Sequence, residues 1–229
     1  MSIHIIINLK IKRLKQSISI LYIEQQMKNA EPERVGLGIS IEGNRDFEKV
    51  MQLAESLASQ YPDTYEVQAY TGDVMFQLEN QERARYYYLR AVEISPANYN
   101  TWQNILRIEA NLNQYDSVII HAERALEYFP NQAPLYYFCG TGYLIKKQNK
   151  KAVQVLEQGK RYATNNQLKT IMYGQIGDAY NSMKQYDKSY AAYEDALEAD
   201  PTNDHVLNNY SYFLSLRSEK MDKALLTKD

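Results

Sequence analysis

The chain reads as an all-α protein built from repeated helical hairpins. Proline stands at positions 62, 96 and 130, a spacing of 34 residues twice over. The series Ala84, Tyr88, Ala91, Pro96 returns with the same offsets as Ser189, Tyr193, Ala196, Pro201. Self-similarity at a period of this size marks an array of stacked units. Glycine (9) and proline (6) are scarce in 229 residues, as expected of helices joined by short turns.

The elements follow in order. Residues 1–30 are expected to hold a poorly packed lead-in and a first helix within Lys12 to Lys28. Residues 31–45, with Pro32, Gly36, Gly38 and Gly43, read as a loop. Residues 46–229 are expected to form the array. Asp46 to Tyr61 has the pattern of a second helix, with Phe47, Val50, Leu53, Ala54 and Leu57 on one stripe and Pro62 closing it. Full units then run Tyr65 to Asn98, Tyr99 to Gln132, Ala133 to Asn166 and Thr170 to Asn203, and a fifth begins at Asp204. Gln167 to Lys169 lengthen one link, an insertion expected on the loop edge.

Within each unit two apolar stripes flank a polar bend such as Glu79–Gln81, Asn111–Gln114 or Lys147–Lys150. Neither stripe can be buried alone, so the two helices must pack on each other. Tyr173, Ile176, Gly177 and Tyr180 lie on one helical face, as do Tyr136, Cys139, Gly140 and Tyr143. Glycine in mid-helix costs about 0.5–1 kcal/mol against alanine. Its return at Gly72, Gly140 and Gly177 predicts close helix contact, with Ala84, Ala91, Ala125, Ala152 and Ala196 as small surfaces opposite and aromatic side chains in the gaps.

Counted by place in the unit, large residues stand fourth (Trp102, Tyr136, Tyr173), glycine eighth, tyrosine eleventh (Tyr143, Tyr180), alanine twentieth and twenty-seventh, and proline thirty-second (Pro96, Pro130). This pattern resembles the tetratricopeptide repeat over about Asp46 to Asp229. Gln68, Leu106, Glu109 and Thr164 depart from it. The resemblance implies an α-solenoid of antiparallel helix pairs in a right-handed superhelix, whose first helices line a concave groove for a peptide or helix of a partner protein. Places two, five, nine, twelve and thirteen then assign the groove to Asp73, Phe76, Gln77, Asn100, Gln103, Arg107, Asn111, Tyr137, Thr141, Asp178, Asn181, Asn208 and Tyr212. The stretch Leu207 to Arg217 resembles late repeats of longer bacterial arrays. Two readings of it stay open: a fragment, or an end that self-associates against another copy.

Charge and chemistry narrow the function. A net charge of −2 with 24% charged residues supplies no field to gather nucleic acid or an anionic membrane, and no stretch approaches the roughly 20 apolar residues of a membrane helix. The segment from Met1 to Lys15 places its basic residues after a short apolar run, unlike a secretory signal, which favours the cytoplasm, with the periplasm as the alternative if the true amino terminus is missing. The lone Cys139 excludes an internal disulfide, and its place in the stripe reads as a buried thiol. His4, His121 and His205 form no metal spacing, and His121 reads as a polar surface residue. No catalytic residue, metal, cofactor or small-molecule substrate is expected. Arg107 alone cannot clamp an acidic tail, and Asp73 and Asp178 would repel one. The expected function is a noncatalytic protein-interaction scaffold; the alternative is a repeat module of a longer enzyme or regulator.

Overall fold

A computed structural model describes residues 7, 9–12 and 38–226, with side chains at 7, 9–12 and 47–218. The long helices among them are α1 (Gly38–Gln60), α2 (Tyr65–Gln77), α3 (Gln81–Ile94), α4 (Tyr99–Asn111), α5 (Tyr115–Tyr128), α6 (Ala133–Ile145), α7 (Asn149–Gly159), α8 (Asn166–Ser182), α9 (Tyr186–Ala199) and α10 (Asp204–Leu226). The fold is all-α, packed in neighbouring helix pairs, and no strand occurs among the described residues. Two units divide the chain, Met1–Ile108 and Glu109–Asp229.

Each hairpin bend is cut to one backbone pattern. Glu79, Asn113, Lys147 and Lys184 have φ of 58°, 57°, 58° and 60°. Each is the fifteenth residue of its unit and sits in the left-handed region. The next residue donates its N–H five residues back, Asn80 to Met75 at 2.9 Å, Gln114 to Glu109 at 2.8 Å, Gln148 to Tyr143 at 2.8 Å and Gln185 to Tyr180 at 2.9 Å. This is a Schellman closure, which reverses the chain in three residues while satisfying the last carbonyls. Asn80 then opens α3 by accepting from the Arg83 N–H at 3.2 Å.

Small residues let the paired helices approach closely. A methyl group on Gly72 would lie 2.7 Å from the Tyr88 ring, and one on Gly177 would lie 2.6 Å from the Tyr193 ring. On Gly140 it would meet Leu156 at 2.4 Å, and on Gly159 it would meet Tyr136 at 2.3 Å. Repeat two inverts these sizes in its sequence, with Leu106 at the glycine place and Ala122 at the bulky one. At three of the fourth places the side chain ties its unit back to the residues before it. Trp102 is fully buried and donates its indole N–H to the Pro96 carbonyl at 2.8 Å. Tyr136 donates its hydroxyl to the Pro130 carbonyl at 2.7 Å. Gln68 does the same work with an amide, donating to the carbonyls of Ala58 at 3.1 Å and Tyr61 at 3.3 Å.

Four expectations need correction. The loop over residues 31–45 ends by Gly38, where α1 begins; glycine costs a helix only about 1 kcal/mol and no proline stands between Pro32 and Pro62 to stop it. Residues 31–37, and the first helix from residue 13 to Lys28, lie outside the described residues. Gln167 to Lys169 are not on a loop edge but in the first turns of α8, because Asn165 caps that helix by accepting from the Leu168 N–H at 2.7 Å. Residues 9–12 are already helical, and Ile7 is buried with Leu57, Ala58 and Val67 beside Ile11, so this part of the lead-in is packed. Leu53 is exposed, since the buried stripe of α1 runs through Val50, Ala54, Leu57 and Ala58.

Candidate interaction faces

The first helices α2, α6 and α8 each have a seam sealed against their partner and a face turned away from it. In the first unit the open face of α2 and α4 carries Asp73, Gln77, Asn100 and Arg107 exposed, with Phe76 and Gln103 partly buried. The structure brings two of them together, for the Arg107 guanidinium lies over the Phe76 ring 4.9 Å from its centroid. Arg107 also donates to Asn104 Oδ1 at 3.2 Å. Asp73 is not a bare carboxylate, because it accepts the Tyr88 hydroxyl at 2.7 Å. Burial, then the charge of Asp73, pushes that phenol far above its ordinary range.

In the second unit Asn111, Asn208 and Tyr212 are exposed, while Tyr137, Thr141, Asp178 and Asn181 are partly buried. Thr141 donates to the Tyr137 carbonyl at 2.8 Å and accepts from Gln175 Nε2 at 2.8 Å, linking α6 to α8. Asp178 Oδ1 accepts the Tyr193 hydroxyl at 2.6 Å and Asn209 Nδ2 at 3.0 Å, linking α8 to α9 and α10. The Asp–Tyr pairing of the first unit therefore returns in the second, with the tyrosine again pushed up by burial first and the aspartate charge next.

Reasoning from the sequence missed the sixth place of each unit. Asn104, Gln175 and Asn209 all stand there and bond to the open face. Their signal was visible as an amide one helical turn before Arg107, Asp178 and Tyr212, while Tyr70 and Phe138 stand at the sixth place of the other two units. His121 is a correction of another kind. It is a half-buried group and not a surface one, with Nδ1 2.8 and 3.0 Å from the two carboxylate oxygens of Glu109, which has no exposure. Glu109 stands at a core place, so the helix must bring it a polar partner.

Cys139 is buried, and desolvation pushes its thiol up to about 12, opposite to what a nucleophile needs. Among the described residues no three His, Cys, Asp or Glu side chains converge on a possible metal position. No described helix is long and apolar enough to cross a membrane. His4 lies outside the described residues.

A family model of the tetratricopeptide repeat matches residues 171–203. No curated protein sequence matches the chain. Among solved structures, a crystal structure of MamA aligns with a TM-score of 0.58 at 17% identity, covering 73% of this chain and 96% of that one. MamA 41-end from Desulfovibrio magneticus RS-1 aligns at 0.56 and 15% identity, covering 72% and 93%. YrrB, described as a TPR protein with an unusual peptide-binding site, aligns at 0.62 and 12% identity, covering 75% and 87%. At these identities the likeness is one of fold.

Proposed function

We propose that this tetratricopeptide-repeat protein is a noncatalytic scaffold that holds an extended peptide or a helix of a partner protein on the open faces of its first helices. The observation that carries the reading is the division of each first helix. Seam residues such as Ile176 and Gly177 are buried, while amides and aromatics on the other side, Asn181, Asn208 and Tyr212 among them, keep contact with solvent. Asparagine donates to and accepts from a peptide backbone at once. Tyrosine offers flat contact area with few torsions to freeze. YrrB, similar in fold, is itself a peptide-binding protein by its description.

The test is affinity capture with the full chain and with a variant carrying Asn111→Ala, Tyr137→Ala and Asn181→Ala. The variant is expected to keep its helical circular dichroism, to melt somewhat below the parent because the partly buried Tyr137 packs against the Ala133, Tyr136 and Leu156 cluster, and to lose captured proteins. Retention of every captured protein by the triple variant would refute the assignment of the face.

A further inference from the structure

This inference rests on the reading that the open faces bind a partner segment, and it concerns which side chain the second unit accepts. Two stretches of the chain are internal copies at one common offset. Gly72, Asp73, Tyr88, Pro96 and Asn104 correspond to Gly177, Asp178, Tyr193, Pro201 and Asn209. In each copy the aspartate accepts the tyrosine hydroxyl, at 2.7 Å in the first and 2.6 Å in the second.

The copies differ in what stands beside that pair. In the first, the chain supplies its own cation: Arg107, held by Asn104 at 3.2 Å, lies over the Phe76 ring. In the second, the register of Arg107 is taken by Tyr212, which is 58% exposed. Lys146 is paired with Asp116, Lys188 lies over the Tyr180 ring, and Arg217 is held by Tyr186, Tyr190 and Asp187. None of them bonds to Asp178.

Two acceptors are left open on α8. Asp178 takes both of its hydrogen bonds at Oδ1, and its Oδ2 has no partner among the described residues. One helical turn earlier Gln175 donates its amide to Thr141, while its Oε1 is buried without a partner. An unmet buried acceptor is costly, and a charged one beside it favours a donor-rich cation. A guanidinium meets all of these conditions, because it is planar, donates several N–H bonds and stacks on an aromatic ring such as Tyr212. We propose that the Asp178 face receives the arginine side chain of an extended partner segment, in the place that Arg107 occupies on the first unit.

The probes are three blocked heptapeptides, glycine and serine throughout except for a central arginine, citrulline or glutamate. Each is titrated into the isotope-labelled full chain and followed by amide NMR shifts. The arginine peptide is expected to move the amides of Gln175, Asp178 and Tyr212, and to bind on the order of tenfold tighter than the citrulline peptide, which keeps the shape and lacks the charge. Asp178→Asn is expected to bring the two to equal affinity. Tyr212→Ala, at an exposed site outside the core, is expected to weaken the arginine peptide several-fold and so serves if Asp178→Asn does not fold. Equal binding of arginine and citrulline peptides at these residues would overturn the cation assignment and leave the peptide-binding reading intact. Shifts confined to other surfaces, or no shifts at all, would overturn both.

Discussion

Glu109 departs furthest from what its place in the repeat demands. The equivalent places hold Tyr143 and Tyr180, whose rings lie under Lys151 and Lys188 at 5.2 and 5.4 Å. Tyr143 also donates its hydroxyl to Glu123. Glu109 instead meets His121 inside the core. A buried carboxylate costs several kcal/mol unless a partner and its hydrogen bonds compensate, so removing one member harms more than removing both. His121→Ala is expected to destabilise by about 3 kcal/mol, near the low end for a broken buried pair. The double change Glu109→Met with His121→Leu is expected to stay within about 1 kcal/mol of the parent or exceed it. Urea unfolding of the two variants decides the matter. A double variant less stable than His121→Ala would mean that the pair is a net source of stability.

At the scale of the element, the hairpins were legible and their closures were not. A proline or a seam glycine marks each helix pair from Tyr65 onward: close packing leaves only small side chains at Gly72, Gly140 and Gly177, and Pro130 marks the pair that carries Leu106 instead. The bends carry no such mark. Left-handed closure normally selects glycine, yet Glu79, Asn113, Lys147 and Lys184 adopt it, so composition alone hid the turn type. The insertion at Gln167 to Lys169 was misplaced for a related reason. Its residues are good helix formers, and the deciding signal was a single asparagine cap. Of the open faces, residue types were readable, but the bonds that tie Asp73 and Asp178 to second-helix tyrosines depend on packing that no linear spacing displays. The closures yield a prediction. Holding lysine in the left-handed region costs about 1–2 kcal/mol, while glycine adds about 0.4–1 kcal/mol of unfolded-state entropy. Lys147→Gly is therefore expected to raise stability by about 0.5–1 kcal/mol, seen as a higher urea midpoint with an unchanged slope. Asn113→Gly is expected to gain less, since asparagine visits this region readily. A lower midpoint for Lys147→Gly would show that its side chain holds the turn by other means.

Across the whole molecule the recurrent building block is tyrosine, 21 residues in all. Burial is the largest cause that pushes the hydroxyls of Tyr65, Tyr70, Tyr88 and Tyr99 upward in the first unit, and those of Tyr136, Tyr143, Tyr193 and Tyr210 in the second. Nearby carboxylates reinforce it at Tyr88, Tyr143 and Tyr193, where Asp73, Glu123 and Asp178 accept the phenolic proton's hydrogen bond. The sign of the linkage follows. A phenol with a raised folded pKa keeps its proton above pH 10, where the unfolded chain has lost it, so the folded state binds more protons there. The stabilisation is complete below the ordinary tyrosine value of about 10 and is lost as pH rises through the folded values. Each phenol held protonated only by the fold lowers stability by about 1.4 kcal/mol per pH unit in that window. The array is therefore expected to unfold steeply in alkali, with the tyrosinate absorbance of these buried rings appearing together with the loss of helical circular dichroism. Full ionisation of all the tyrosines near pH 10 with the helical signal intact would mean that the seams are open to solvent, contrary to the zero exposure of Tyr193 and the 2% exposure of Tyr88.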